Sequence, residues 1–129
     1  MRNPVLLFLF VITLTCCKKD GQYPTIELKS GAGYTSTDIT VAPGSQFLVG
    51  FNAYKTTDKL NLFYTEVSYD GANTATLVSR TYTSENEKDH FSRDVTVTVR
   101  NQVGVERWIF NINDDGGRIS KKELRISVQ

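Results

Sequence analysis

Two cysteines, Cys16 and Cys17, stand side by side and are the only ones in a chain of 129 residues. Adjacent thiols can do little of the usual cysteine chemistry. A disulfide between them would be strained and would staple no part of the chain to another. A metal site needs more ligands than two neighbouring sulfurs. The one histidine, His90, follows Glu85, Glu87 and Asp89. An imidazole among carboxylates can act as a general base when a partner fixes it, but in a run this charged a solvated loop residue is the simpler reading. No serine sits in a Gly-x-Ser-x-Gly elbow. Paired carboxylates occur only at Asp114-Asp115 and between Glu85 and Asp89. Glycoside hydrolysis needs two acids facing each other across a cleft, which a domain this small seldom provides. The chain reads as a non-enzyme with no catalytic residues.

Oxygen ligands and aromatic rings remain. Asn113, Asp114 and Asp115 share one turn, and Asp70 and Asn73 share another. Calcium takes several oxygens at about 2.3–2.6 Å. The spacing of a dedicated calcium loop is absent, and Asp, Asn and Gly are also the ordinary turn residues. Asp114 and Asp115 are therefore candidate calcium ligands, with plain turn structure as the favoured reading; no other cofactor is expected. Tyr34, Tyr54, Tyr64, Tyr69 and Tyr82 fall mostly in loops or at strand ends. An exposed ring can stack on a sugar or anchor a protein partner, which makes Tyr54 and Tyr82 the candidate ligand-binding residues. Trp108, in phase with Phe110 and Ile112, reads as core.

The first residues determine where these groups would work. Met1-Arg2-Asn3-Pro4 is followed by an apolar run from Val5 to Ile12 that trails into Thr13-Leu14-Thr15. One positive charge ahead of a short apolar core is the pattern of a secretory signal peptide. The run is about 11 residues, or roughly 17 Å as a helix, whereas a bilayer core is about 30 Å thick and takes about 20 residues to cross. A permanent span is disfavoured.

Leu14-Thr15-Cys16-Cys17, then Lys18-Lys19-Asp20, resembles the lipobox of bacterial lipoproteins. That box has an aliphatic residue three before the acylated cysteine and small residues between. With Cys17 modified, Leu14 takes the aliphatic position and Thr15 and Cys16 the small ones. With Cys16 modified, Thr13 and bulky Leu14 would take those places, a poorer match. Cys16 stands where Gly, Ala or Ser is usual, but it is small. The abrupt switch to Lys-Lys-Asp resembles lipoproteins of the Bacteroidota. The resemblance implies cleavage before Cys17, acylation of that residue and anchoring in the outer membrane, facing the periplasm or the cell surface. Acidic runs after the cysteine mark surface export in that group, and the single Asp20 leaves the face open. Each buried CH₂ contributes about 0.8 kcal/mol, so two or three acyl chains hold where one binds only marginally.

The organisation that follows is a leader at 1–16, a lipidated polar tether at 17–23 and one domain at 24–129. The mature chain, about 113 residues, suits a single domain. Of 15 basic and 14 acidic residues, one basic residue, Arg2, lies in the leader, so the mature charge is near zero. No basic run exceeds Lys18-Lys19 or Lys121-Lys122, and nucleic-acid binding is excluded on charge and compartment.

The mature region is rich in Thr, Val, Ile, Tyr and Phe, which suit a pleated surface. Period-two alternation predicts strands near Thr25 to Lys29, Ile39 to Val41, Gln46 to Ala53, Leu60 to Tyr69, Thr74 to Tyr82, Phe91 to Val99, Val105 to Asn113 and Arg118 to Val128. Turns at Ala42-Pro43-Gly44, Asp70-Gly71-Ala72-Asn73 and Asp114-Asp115-Gly116-Gly117 separate several of them. Leu60 to Tyr69 has apolar residues on both parities, which suggests a bulge. Thr74 to Tyr82 is polar enough for an edge. No segment has a helical period. The pattern predicts an all-β, two-sheet antiparallel sandwich of about seven strands. Trp108-Ile109-Phe110-Asn111-Ile112-Asn113-Asp114-Asp115-Gly116-Gly117, closed by Leu124-Arg125-Ile126-Ser127-Val128, resembles the last hairpin of bacterial Ig-like and PKD-like domains. That resemblance implies a fold rather than an activity. The expectation is a membrane-anchored interaction or accessory module for other envelope proteins, with glycan binding through loop aromatics as the alternative.

Overall fold

Among the described residues, alternating β-branched and aromatic side chains form eight strands, which in chain order are β1 (Thr25–Leu28), β2 (Ile39–Val41), β3 (Gln46–Tyr54), β4 (Leu60–Tyr69), β5 (Thr76–Tyr82), β6 (His90–Thr98), β7 (Gly104–Asp114) and β8 (Ile119–Val128). One 3₁₀ turn, Glu85–Glu87, is the sole helical element among the described residues. The computed structural model describes residues 21–129. The leader, the lipobox and Cys17 lie outside the described residues. Among the described residues no helix is long and apolar enough to cross a membrane.

Two sheets pack face to face, one ordered β1-β3-β6 and the other β2-β8-β7-β4-β5. The chain crosses between sheets from β3 to β4, back from β5 to β6 and again to β7, the Greek-key connection of Ig-like sandwiches. The expectation of an antiparallel fold needs one correction. β2 runs parallel to β8, with Ile39 opposite Ile126 and Val41 opposite Val128. Parallel neighbours need a long connection, and these two are separated by most of the domain. The strand β2 is three residues long, too short to announce its partner in sequence.

Side chains from both sheets meet in the middle. Phe51 stacks on Phe63 with centroids 4.2 Å apart and lies 6.3 Å from Phe91 and 6.0 Å from Phe110. These four rings come from β3, β4, β6 and β7, so the cluster joins the sheets. Ile26, Val49, Ala53, Leu60, Val67, Val97, Val99, Ile112, Leu124, Ile126 and Val128 complete the buried core with Trp108. The mixed parity of β4 has a local cause. Leu60 pairs with Asp114 while Leu62 pairs with Asn113, leaving Asn61 as an extra residue. The bulge lets Leu60 and Phe63 both point inward. The turn after β4 closes with Ala72 N–H donating to the Tyr69 carbonyl at 2.9 Å. Asp70 (φ 53°) and Gly71 (φ 80°) are both left-handed, the geometry of a primed hairpin turn.

Candidate functional site

Strand direction divides the molecule into two ends, and the sequence-nominated residues fall unevenly between them. The chain enters at one end, where Thr56 Oγ1 donates to the carbonyls of Gln22 and Tyr23, and Gln22 N–H donates to Thr57 Oγ1 at 2.8 Å. These bonds hold Gln22 and Tyr23, the end of the expected tether, against the loop after β3. Thr25 pairs with Tyr54, Tyr54 with His90, Leu60 with Asp114 and Leu62 with Tyr82. Tyr54, Tyr82, His90, Asp114 and Asp115 thus all gather at the entry end. The opposite end carries the turns at Ala42–Ser45, Tyr69–Asn73 and Arg100–Val103, and the close of β8.

At the entry end each candidate already has a partner. Tyr54 stacks on His90, centroids 4.6 Å apart and rings 7° from parallel. Tyr82 carries the Arg80 guanidinium 5.8 Å over its ring. Tyr54 is 41% exposed and Tyr82 63%, but they belong to different sheets and do not stack on each other. Asp114 is buried; its Oδ1 accepts the Arg118 N–H and its Oδ2 the Arg118 Nε–H, both at 2.9 Å. Arg118 also pairs with Asp58, so Asp114 closes the β7–β8 turn. Asp115 is exposed and its N–H donates to the Lys59 carbonyl at 2.8 Å. Among the described residues no group of three or more acidic, histidine or cysteine side chains is gathered as a metal site.

The larger sheet ends in β5. Every residue of β5 is exposed, and among the described residues its only hydrogen-bonded neighbour is β4. Thr65 pairs with Ser79 and Glu66 with Leu77, which leaves Val78 as a bulged residue. Leu77 and Val78 are each 50% exposed. Leu77 and Tyr82 lie opposite Glu66 and Leu62, on the face away from the core. Beside them Tyr64 is half-buried, and desolvation, then the Glu66 charge, raise its phenol above the ordinary range. The outward face of β4 and β5 therefore carries Leu62, Tyr64, Leu77 and Tyr82 with Arg80 and Glu66 set among them, and the bulged Val78 is exposed beside Leu77.

At the far end, a buried carboxylate ties the β6–β7 turn to β7. Glu106 is fully buried. Its Oε1 accepts the Arg100 N–H and its Oε2 the Trp108 Nε1–H, both at 2.8 Å. Arg100 also donates to both oxygens of Asp70, at 2.6 and 2.7 Å. That bond first, then the Val105 N–H, holds the Asp70 carboxyl below its ordinary range. Next to this knot lies an open cavity of roughly 970 Å³ on the outer sheet face, whose lining includes Ser68, Asn73, Arg107 and Arg125. Sequence reasoning missed β5's apolar pair, Glu106 and the two arginines. The only available signal was parity: Glu106 shares the phase of Trp108, Phe110 and Ile112.

No family model matches this chain, and no curated protein matches it in sequence. Solved structures resemble it in shape. A family 123 glycoside hydrolase from Clostridium perfringens, studied for glycolipid glycan hydrolysis, superposes with a TM-score of 0.53 at 7% identity, over 82% of this chain and 27% of its own. A β-glucosidase from Listeria innocua in complex with glucose gives 0.49 at 12% identity, over 83% of this chain and 17% of its own. This chain therefore spans about a quarter or less of those proteins. The first likeness shows the β-sandwich fold, and nothing in either speaks to an enzymatic role here.

Proposed function

We propose that this chain is a lipid-anchored envelope lipoprotein whose sandwich is a non-enzymatic docking module, meeting another envelope protein along β5. One observation carries the reading. A seven-residue strand that is exposed throughout adds nothing to the core, yet it displays Leu77, Val78 and Tyr82. Exposed apolar side chains on an edge strand, here with Arg80 between them, are what a partner strand or surface buries. The Val78 bulge breaks the regular ladder, which guards the edge against indiscriminate strand pairing. The anchoring half of the proposal rests on the Leu14-to-Cys17 pattern.

Photo-crosslinking residues placed at Leu77 and Val78 in intact cells test the docking half. The expected outcome is a discrete crosslinked envelope protein, absent when the same residue replaces Thr96 on the other sheet. Equal labelling at all three positions, or none at any, would refute it. Glycan binding through Tyr54 and Tyr82 draws support from their exposure. Their placement weighs against one shared platform, because both sit at the end that a tether from Cys17 would hold toward the membrane. Glycan binding lost in Tyr54→Ala and Tyr82→Ala would favour that second reading.

A further inference from the structure

The cavity at the far end holds a charge arrangement that the domain's own contacts do not neutralise. Arg107 on β7 lies directly opposite Arg125 on β8. Side chains in that relation have Cβ atoms about 4.5–5.5 Å apart, and like charges so placed repel. Among the described residues, neither guanidinium makes an ion pair. The single hydrogen bond from either is Arg107 Nε–H donating to the buried Ser68 Oγ at 3.2 Å.

The carboxylates nearby are engaged elsewhere. Asp38, Asp70 and Glu123 all line the cavity. Asp70 is taken by Arg100 and by the Val105 N–H. Glu123 pairs with Lys121 Nζ at 2.8 Å. Asp38 Oδ1 accepts the backbone N–H of Arg125, at 2.8 Å, rather than its guanidinium. Two forked donors thus face an open volume of roughly 970 Å³, a size typical of sites for small organic ligands.

We propose that Arg107 and Arg125 form a binding site for an acidic sugar, taking a uronate-type carboxylate between their guanidinium groups. The carboxylate follows from the forks, whose paired N–H groups match a planar oxyanion. The sugar follows from the walls. Ser68, Asn73, Asp38 and Glu123 offer hydroxyl, amide and carboxylate groups for hydroxyls to bond, while only Val105 and Ala72 are apolar. Val105, Ala72 and the arginine stems leave apolar surface for the C–H face of a sugar ring. The acids around the rim repel a dense polyanion, so they select one negative charge flanked by hydroxyls. The site lies about six residues along β7 and β8 from the entry end, or roughly 20 Å at strand rise, at the end opposite Gln22 and Tyr23. It shares no residue with the β5 edge, so either proposal can fail without the other.

The test is a ¹H–¹⁵N titration of the full lipidated chain in detergent micelles, with glucuronate, glucose and inorganic sulfate as probes. Glucuronate should shift the Arg107 and Arg125 Nε–H signals and the Asn73 amide signals saturably, and bind at least about tenfold tighter than the other two probes. Arg107→Gln and Arg125→Gln should each weaken glucuronate by about tenfold or more, a loss of about 1.4 kcal/mol, with the remaining spectrum unchanged. Arg107→Lys, which keeps the charge but not the fork, should also weaken it. No saturable shift with glucuronate, equal response to glucose, sulfate binding as tightly, or full affinity in both Gln variants would overturn the proposal.

Discussion

Glu106 and Gly50 show how much a single position can hold. Burying a carboxylate is costly unless its oxygens are satisfied, and here the Arg100 N–H and the Trp108 indole satisfy them. Glu106→Ala removes the acceptor and leaves two donors unpaired at the edge of the core. We expect a loss of about 3 kcal/mol, read as a lower urea midpoint with the slope unchanged. On the smaller sheet, Lys29, Tyr34 and Asp94 close over Gly50. Lys29 Nζ meets Asp94 Oδ1 at 2.7 Å and the Tyr34 hydroxyl donates to Asp94 Oδ2 at 3.0 Å. A Cβ at Gly50 would come 2.5 Å from Tyr34 Cε1 and 2.7 Å from Lys29 Cδ. Gly50→Ala should therefore cost about 1–3 kcal/mol. Removing the ring in the Gly50→Ala, Tyr34→Ala double variant should recover part of it, a non-additivity that a double-mutant cycle measures. Neither role was legible in sequence. Gly50 looked like an ordinary outward position on β3, because the residues that cover it come from β6 and from the β1–β2 connection.

The elements differ sharply in what they contribute. β3, β6 and β7 supply Phe51, Phe91 and Phe110 to the inter-sheet cluster, whereas β5 supplies no buried residue. Phe51→Ala should cost about 3–5 kcal/mol. Leu77→Lys and Val78→Lys should leave stability within about 0.5 kcal/mol, yet abolish partner crosslinking if the docking proposal holds. Thermal melts paired with the crosslinking assay separate the two effects. Most strand boundaries could be read from alternation, because one face of each long strand meets the core and the other meets water. The β4 register could not. Asn61 is the extra residue there only because Leu60 and Leu62 both pair with β7, a matter of where the partner strand lies.

For the whole molecule, the charges bear on pH. Asp70, Glu85, Glu87, Asp89 and Asp94 are all held below the ordinary carboxylate range, chiefly by Arg100, Lys88, Ser84, Lys55 and Lys29 respectively. Groups whose folded pKa is depressed stabilise the fold above the unfolded value and lose that contribution as pH falls through the folded one. Lys29 and Lys88 are raised by Asp94 and Glu85. Their contribution is complete below the ordinary lysine value and is lost as pH rises beyond it. The melting temperature should therefore be level across neutral pH, fall below about pH 4 and fall again above about pH 10. Added salt should flatten both slopes, since these pairs are exposed. Circular dichroism melts across that range check it. Cys17→Ala should release a folded domain into the soluble fraction; a variant that stays with the membrane would mean the leader is itself the anchor.

The sequence by itself determined the period-two strands, the glycine and proline turns and the all-β class, because those follow from side-chain shape and from positions where the backbone turns left-handed. It also nominated Cys17, through a local pattern of aliphatic and small residues. Only the tertiary structure decided which nominated residues share an end, that β2 runs parallel to β8, and that Arg107 faces Arg125 while the acids around them are engaged elsewhere. Each of those depends on pairing between strands far apart in the chain. Register across a sheet fixes such neighbours, and no local spacing encodes it.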